Sequence, residues 1–254
     1  MRGTRTASAD NRVKDELETN DRSPRLRAAE ELRQYVEKVD WSGLTYRRRQ
    51  ILEAFVSLAS TNGYESVTMR SLGDRVGVKA PSIYRHFPNG RDEIVTEAYR
   101  WHFYRFASAV LAGVDGTDNV HDYWASLVRV HLQRQLESPE NDLWDILMAS
   151  DRIGGFLPPE TRREYEEWLG LYERMYAAAA SELGYEFRDV EKFVRVVVKV
   201  LDTANEWCKW DGTKKGLQLC VDHATTISRA LLNVDLGPRA TSHTKRIESR
   251  AATT

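Results

Sequence analysis

Residues 68–87 carry the side chains whose types and spacing most clearly indicate a binding chemistry. A first short helix is predicted to begin after Thr68, whose hydroxyl can cap it, and Gly77 supplies the left-handed turn that ends it. A second short helix is predicted at about 79–87, with Pro81 in its first turn, where a missing N–H costs little. Two short helices joined by a tight glycine turn form a helix-turn-helix, whose second helix enters the major groove of DNA.

Helical geometry decides which side chains of the second helix can reach the groove. Successive residues rotate by about 100°, so with Ile83 directed to the core, Pro81 and Arg85 point away from it. The forked guanidinium of Arg85 matches O6 and N7 of guanine, which makes Arg85 the candidate for a base contact. Ser82 and Tyr84 lie on the flanks of this face, where they suit phosphates or base edges.

The distribution of charge also favours a polyanionic partner. The chain has a net charge of -1, but residues 41–91 hold eight Lys and Arg against three Asp and Glu, whereas residues 92–236 hold 16 against 25. A basic segment before an acidic body is expected when one end of a protein meets nucleic acid. The alternative on the residues alone is a pair of packed helices with a solvated basic face.

The elements that must position these residues are all predicted to be helical. Apolar residues recur at helical spacing along the chain, with breaks at glycine and proline, and alternation of the β type is absent. We therefore predict an all-α fold in which a three-helix helix-turn-helix domain precedes a larger helical domain. The predicted divisions are a disordered extension at 1–22, an extra amphipathic helix at 23–40, the helix-turn-helix domain at 44–90, the larger helical domain at 91–236, and a disordered tail at 237–254; a family resemblance, given below, implies that the larger domain binds an effector and dimerises.

Composition predicts a cytoplasmic protein. The chain is 41% hydrophobic and 30% charged, with a mean hydropathy of -0.55. No window approaches the ~20 apolar residues that span a bilayer, and the N-terminus lacks the pattern of a signal peptide. We interpret Cys208 and Cys220 as buried thiols, with a redox-sensing pair as the alternative.

The stretch from about Tyr46 to Tyr99 resembles the N-terminal domain of the TetR (AcrR-like) family of repressors. The shared features are Ile51-Leu52, Phe55, Gly63-Tyr64, Val67-Thr68-Met69-Arg70, Val76-Gly77-Val78 and Ile83-Tyr84-Arg85-His86-Phe87-Pro88-Asn89. The resemblance implies DNA contacts from Arg70, Ala80, Pro81, Ser82, Tyr84 and His86. With the candidates from the residues themselves, the predicted DNA-binding set is Thr68, Arg70, Lys79, Ala80, Pro81, Ser82, Tyr84, Arg85, His86 and Arg91.

The chain departs from the family just after the second helix. The family usually carries a phosphate-binding lysine two or three residues beyond the Phe-Pro step, and here that position is Gly90, followed by Arg91. Arg91 is the candidate replacement, although a shift of one residue rotates a helical side chain by about 100°. Two expectations also differ for His86. Its position in the family pattern implies a phosphate contact, whereas helical rotation places it nearer the core.

The resemblance also implies that the later helices bind an unknown small effector and form a homodimer through helices near 189–210 and 213–232. The first of these is apolar nearly all round, so it must be covered on several sides, and the alternative is the central core helix of a monomer. Aromatic, methionine and polar residues suited to a pocket give the predicted effector set of Trp124, Trp144, Met148, Trp168, Tyr172, Met175, Asp202, Asn205 and Glu206.

We find no motif for catalysis, a cofactor or a metal, and we predict none of them, nor any membrane partner. The predicted function is a ligand-responsive repressor that binds a palindromic double-stranded operator as a dimer and is released by its effector. The rival is a helical ligand-binding protein or enzyme that has kept a vestigial helix-turn-helix. Arg2, Arg5 and Arg12 offer a minor-groove arm, with a plain flexible tail as the alternative.

Overall fold

The computed structural model of the chain describes residues 23–38, 40–41, 43–138, 140–154, 157–185 and 190–233. The predictions for 1–22 and 237–254, including the arm of Arg2, Arg5 and Arg12, lie outside these residues. Every regular element described is helical, which confirms the predicted all-α fold. The helices are α1 (Pro24–Glu37), α2 (Tyr46–Asn62), α3 (Met69–Val76), α4 (Ala80–His86), α5 (Arg91–Val114), α6 (Val120–Glu137), α7 (Glu140–Gly154), α8 (Pro159–Glu182), α9 (Val190–Asp202), α10 (Ala204–Trp207) and α11 (Lys214–Leu232), with a 3-10 turn at Tyr64–Ser66.

No helix among the described residues is both long and apolar enough to cross a bilayer. Helices α2 and α8 end at or next to a glycine, as the predicted breaks at glycine require, because these glycines adopt the conformation that stops a helix. Gly63, which ends α2, has φ = 81°, and Gly184, which follows α8, has φ = 87°. Glycine tolerates these positive values because it has no Cβ.

The prediction of one continuous helix over residues 189–210 was wrong. The helix breaks at Thr203, which separates α9 from the single turn of α10. The side chains of Thr203 and Trp207 both donate hydrogen bonds to the carbonyl of Val200, at 3.2 and 2.9 Å. In a continuous helix the carbonyl of Val200 would accept a hydrogen bond from a backbone amide of the next turn. Here the two side chains supply its hydrogen bonds instead.

The preferred interpretation of the two cysteines as free thiols was also wrong, although both are buried as predicted. Cys208 and Cys220 form a disulfide, with their Cα atoms 5.9 Å apart. The break at Thr203 redirects the chain after α9, so that Cys208 meets α11 at a separation within the range that disulfides span.

Two apolar cores organise the described helices, and α5 contributes to both. The first core joins the helix-turn-helix domain to Ile94 and Val95 of α5, and also takes in Leu143 and Leu147 of α7. The second core fills the body and includes the later part of α5 together with α6, α8, α9 and α11. The extra helix α1 belongs to this second core through Ala28, Ala29 and Leu32. Two helices of the body are therefore built directly onto the domain that carries the reading helix.

Candidate functional site

The start of the helix-turn-helix is fixed by reciprocal hydrogen bonds at the N-terminus of α3. The hydroxyl of Thr68 accepts from the amide of Ser71 at 3.1 Å, and the hydroxyl of Ser71 accepts from the amide of Thr68 at 2.9 Å. This capping box confirms the predicted cap and adds Ser71, which the sequence analysis missed. At the other end of α3, Gly77 adopts the predicted left-handed conformation, with φ = 72° and ψ = 34°.

The closeness of α3 and α4 depends on Gly73, another residue that the sequence analysis did not single out. A Cβ atom at Gly73 would lie 2.6 Å from the carbonyl oxygen of Val78 and 3.3 Å from the amide nitrogen of Ala80. The amide of Val78 also donates to the carbonyl of Gly73 at 2.8 Å. The backbones of the two helices therefore come into direct contact at Gly73. The sequence feature that could have indicated this contact is a glycine in the interior of a predicted helix.

The face of α4 that points outward is the one predicted from helical rotation. Ile83 and Phe87 are fully buried, whereas Pro81 and Arg85 are exposed and Tyr84 is 49% exposed. The guanidinium of Arg85 donates to the hydroxyl of Ser82 at 3.2 Å, which holds it along the helix. Among the other predicted DNA-binding residues, Arg91 apart, three are exposed (Thr68, Arg70 and Lys79) and three are half-buried (Ala80, Ser82 and His86). Contact between these residues and DNA stays a prediction.

Arg91 is directed towards the 3-10 turn. Its guanidinium donates to the carbonyl of Tyr64 at 2.6 Å, lies 4.0 Å from the centre of the Tyr64 ring, and is 3.7 Å from the carboxylate of Glu65. Gly90 precedes it with φ = 73°, a conformation that a lysine would adopt only with strain. The departure from the family pattern therefore has a backbone cause, and a phosphate contact by Arg91 stays a prediction that requires its internal contacts to open.

Arg48 of α2 supports the end of the reading helix and was missed from the sequence. Its guanidinium donates to the carbonyl of His86 and lies 4.3 Å from the centre of the Phe87 ring. It also lies 3.6 Å from a carboxylate oxygen of Glu93 and 3.8 Å from one of Glu97, both on α5. Arg48 thus joins α2, α4 and α5. The sequence feature that could have indicated this role is its position in the run of arginines that precedes the buried residues of α2.

Four of the predicted effector residues meet around a small cavity in the body, which we call the central cavity. Trp144, Trp168, Tyr172 and Asp202 line its volume of about 50 Å³. A lateral cleft of about 470 Å³ shares residues such as Asp145 and Lys199 with the central cavity and is lined by a fifth predicted residue, Met148.

The other four predicted effector residues line neither space. Trp124 is fully buried, and its indole donates to the hydroxyl of Ser228 at 3.0 Å. Met175 is fully buried in the second core. Asn205 donates to the backbone carbonyl of Gln135 at 3.1 Å, and Glu206 is exposed on α10. A contact from any of them to an effector stays a prediction.

Ionisable groups face one another at the junction of the central cavity and the lateral cleft. His131 Nε2 lies 3.0 Å from Asp202 Oδ1, His131 Nδ1 lies 2.9 Å from the hydroxyl of Tyr172, and the ammonium of Lys199 donates to Asp202 Oδ2 at 2.7 Å. Burial opposes ionisation of Asp202, but the hydrogen bonds and charges of His131 and Lys199 hold its pKa below the usual value. Burial, and then the charge of Asp202, raise the pKa of Asp145 to about 7. This arrangement can orient a polar group inside aromatic walls.

Comparison with known proteins gives matches of two extents. Residues 51–98 match the description of bacterial regulatory proteins of the tetR family. Over 43 residues, or 17% of the chain, the sequence is 46% identical to the HTH-type transcriptional repressor KstR of Mycobacterium tuberculosis. That match spans 20% of the relative, so the chain covers about a fifth of the first curated relatives it resembles.

The longer matches are weaker in sequence. The chain is 23% identical to the repressor KstR2 of Rhodococcus jostii over 210 residues, covering 80% of this chain and 96% of that protein. The solved structure of the ketosteroid transcriptional regulator KstR2 of Mycobacterium tuberculosis superposes with a TM-score of 0.58 at 18% identity, over 73% of this chain and 95% of that one. These matches extend the likeness of fold from the helix-turn-helix domain into the helical body.

Proposed function

We propose that this chain, which belongs through its helix-turn-helix domain to the TetR family of bacterial regulatory proteins, is a transcriptional repressor that a small effector releases from DNA. The observation that carries the proposal is the outward face of α4, on which Pro81, Tyr84 and Arg85 stand exposed over a fully buried inner face. The family is not enzymatic, and we assign no catalytic residue. A cytoplasmic location follows from the proposed work on DNA.

The proposed DNA contact is a bidentate hydrogen bond from Arg85 to a guanine of each half-site. Arg85→Ala should weaken binding to the cognate operator by ~1–3 kcal/mol and relax the preference at one base position. Fluorescence anisotropy with DNA from upstream of the protein's own gene, together with a set of single-base variants of that DNA, measures both effects. Arg163→Ala is the matched control, because Arg163 is an exposed arginine of α8 in the body and its loss removes the same charge.

The outcomes separate this proposal from its rivals. Equal weakening on every DNA sequence by Arg85→Ala would assign Arg85 to a phosphate instead of a base. Absence of salt-sensitive, sequence-specific binding by the purified chain would reject the repressor and favour a helical ligand-binding protein with a vestigial helix-turn-helix.

We further propose a homodimer formed through α9 and α11. Large apolar side chains are exposed on both helices: Val196 is 48% exposed, Leu219 52% and Ile227 38%. Leu219, His223 and Ile227 follow one another at intervals of four residues, so they share one face of α11. A second copy of the chain would cover this face and place two reading helices about one turn of DNA, ~34 Å, apart, as a palindromic operator requires.

The dimer is tested by light scattering after size-exclusion chromatography. Leu219→Glu should shift the chain to monomers and reduce operator affinity, because a buried charge without a partner disfavours association. Leu26→Glu is the matched control, since Leu26 is a similarly exposed leucine of α1, at 43%. A wild-type monomer, or a dimer that Leu219→Glu leaves intact, would contradict the proposed interface.

The proposed effector site is the central cavity with its lateral cleft. Trp144 of α7 and Phe103 of α5 both line the central cavity, so a ligand there touches both helices that join the body to the DNA-binding domain. Native mass spectrometry of the purified chain for a retained small molecule identifies the effector class. Addition of that molecule should release the operator, and release that persists in a variant with the cleft filled by Leu169→Trp would place the effector elsewhere.

A further inference from the structure

A second cavity, of about 310 Å³, lies between the extra helix α1, the linker that follows it, α5 and α8. We call it the N-terminal cavity. Phe103 and Trp168 line both this cavity and the central cavity, and their ring centroids are 4.1 Å apart, so the two rings form the wall between the cavities. Its volume is within the range of small-molecule sites, and the function proposed above makes no use of it.

The walls of the N-terminal cavity are mainly aromatic. Tyr35 of α1 and Trp41 of the linker face Phe103 and Tyr104 of α5 and Trp168 of α8. The Trp41 ring lies 5.8 Å from that of Tyr104. Flat aromatic surfaces on several sides favour a ligand that presents flat rings to them.

Two of the side chains that line this cavity carry a hydrogen-bond donor with no partner in the part of the chain that the structure describes. The hydroxyl of Tyr99 and the indole N–H of Trp168 are buried and find no hydrogen-bond acceptor among the described residues, and the side chains that carry them are 2% and 6% exposed. Burial, and then the neighbouring Tyr165, Tyr35 and Glu164, raise the pKa of Tyr99, so the phenol keeps its proton. A buried donor without an acceptor costs free energy, and a ligand that supplies the acceptor recovers it.

The charged groups at the rim already have partners. Arg100 donates to both carboxylate oxygens of Glu164, at 2.7 and 2.6 Å, and to Glu97 at 3.1 Å. The ammonium of Lys38 lies 3.6 Å from the carboxylate of Glu167. The rim thus carries three carboxylates against two cations, each cation paired, which disfavours an anionic ligand.

We propose that the N-terminal cavity binds an uncharged, flat, ring-bearing molecule whose carbonyl or hydroxyl oxygen accepts hydrogen bonds from Tyr99 and Trp168. In the proposed complex the apolar rings of the ligand lie against the aromatic walls, and a shift of the lining rings lets its oxygen reach the two donors, which are closed off in the unliganded chain. Arg49 of α2 lies over the ring of Trp101, at 5.6 Å, and Trp101 contacts Trp41. The cavity therefore adjoins the contact between the N-terminal linker and the DNA-binding domain.

The test uses the full chain and one neutral fluorescent ketone, 6-propionyl-2-dimethylaminonaphthalene, which has two fused rings and a single carbonyl. Val36→Trp fills the N-terminal cavity, because Val36 lines it and does not line the other two spaces. Ala149→Trp is the matched control, since Ala149 is exposed and lines only the lateral cleft among these spaces. We expect saturable binding by wild type, weakened at least tenfold by Val36→Trp and less than twofold by Ala149→Trp.

A second variant tests the hydrogen bond to the ketone. Tyr99→Phe should weaken the probe about threefold to tenfold and move its bound emission to shorter wavelength, because the carbonyl loses a donor. The unliganded variant should melt no lower than wild type, since the hydroxyl it lacks had no partner. The proposal is overturned if wild type shows no saturable binding, if Val36→Trp binds normally, or if Ala149→Trp alone abolishes binding. None of these readouts involves DNA, so they stand apart from the test of the repressor.

Discussion

Gly73→Ala is the substitution for which the structure gives the clearest expected outcome. The added methyl would meet the carbonyl oxygen of Val78 at 2.6 Å, and that oxygen belongs to the backbone between α3 and α4. A contact that short must be relieved by a movement of several tenths of an ångström between α3 and the backbone that leads into α4. The substitution therefore changes the position of the reading helix relative to α3.

Two terms set the stability of this variant, and they oppose each other. Alanine is favoured over glycine in a helix by ~1 kcal/mol, whereas overpacking in a close-packed site costs ~1–3 kcal/mol. The net loss in unfolding free energy is expected at about 0–2 kcal/mol, and urea unfolding followed by circular dichroism measures it. Operator affinity should fall further, by roughly fivefold to 150-fold, because one misplaced bidentate base contact is worth ~1–3 kcal/mol.

Gly77→Ala is the matched control. A Cβ at Gly77 meets no atom within 4 Å, so the only penalty is the left-handed backbone, at φ = 72°. This strain costs ~1–2 kcal/mol of stability and leaves α4 in place, so operator affinity should be unchanged at temperatures where the variant is folded. Wild-type operator affinity in Gly73→Ala, measured by anisotropy within a factor of two, would refute the reasoning.

Three further predictions follow from the caps, charges and crosslink. Thr68→Ala should lower the urea unfolding free energy by ~1 kcal/mol, and Thr68→Ser should restore it, because the hydroxyl caps α3. Burial is the main cause that raises the pKa of Asp145 to about 7. The folded chain therefore retains a proton that the unfolded chain releases near pH 4. The contribution of Asp145 to the free energy of unfolding consequently falls as pH rises from 4 through 7. The melting midpoints of Asp145→Asn and wild type should therefore differ least near pH 4, and the variant should melt higher at pH 8; an equal gap at both pH values would contradict the assignment. Reductant should lower the melting midpoint of wild type through loss of a crosslink worth ~2–3 kcal/mol, and should not affect the variant with Cys208→Ser and Cys220→Ser.

The helix-turn-helix was predictable because its determinants are local in sequence. The cap at Thr68, the left-handed Gly77 and the four-residue spacing of Ile83 and Phe87 each act within one or two turns, and the structure has all of them. Gly73 was missed because its role lies in the approach of two backbones, which no periodicity records.

The body was less predictable because its determinants are contacts between distant residues. The break at Thr203 depends on side chains returning to Val200, and the disulfide depends on where that break sends Cys208. Trp124 and Trp168 are a second example of a difference that depends on distant contacts. Both are apolar residues at helical spacing, yet Trp124 fills the core and Trp168 forms a cavity wall. Sequence alone gives these two tryptophans the same signal.

The proposed release of DNA places a physical demand on the wall between the central cavity and the DNA-binding domain. Trp144 and Met148 face the cavity or its cleft and at the same time belong to the apolar core that holds α2, α3 and α4. An effector that displaces Trp144 must therefore repack this core against Ile94 and Tyr99 of α5. Binding alone achieves nothing unless the effector prefers the repacked form, and moving the population from 1:99 to 99:1 takes a preference of about 5.5 kcal/mol. A central cavity of only about 50 Å³ fits this requirement, because an effector that extends into it must displace part of its lining, and Trp144 belongs to that lining.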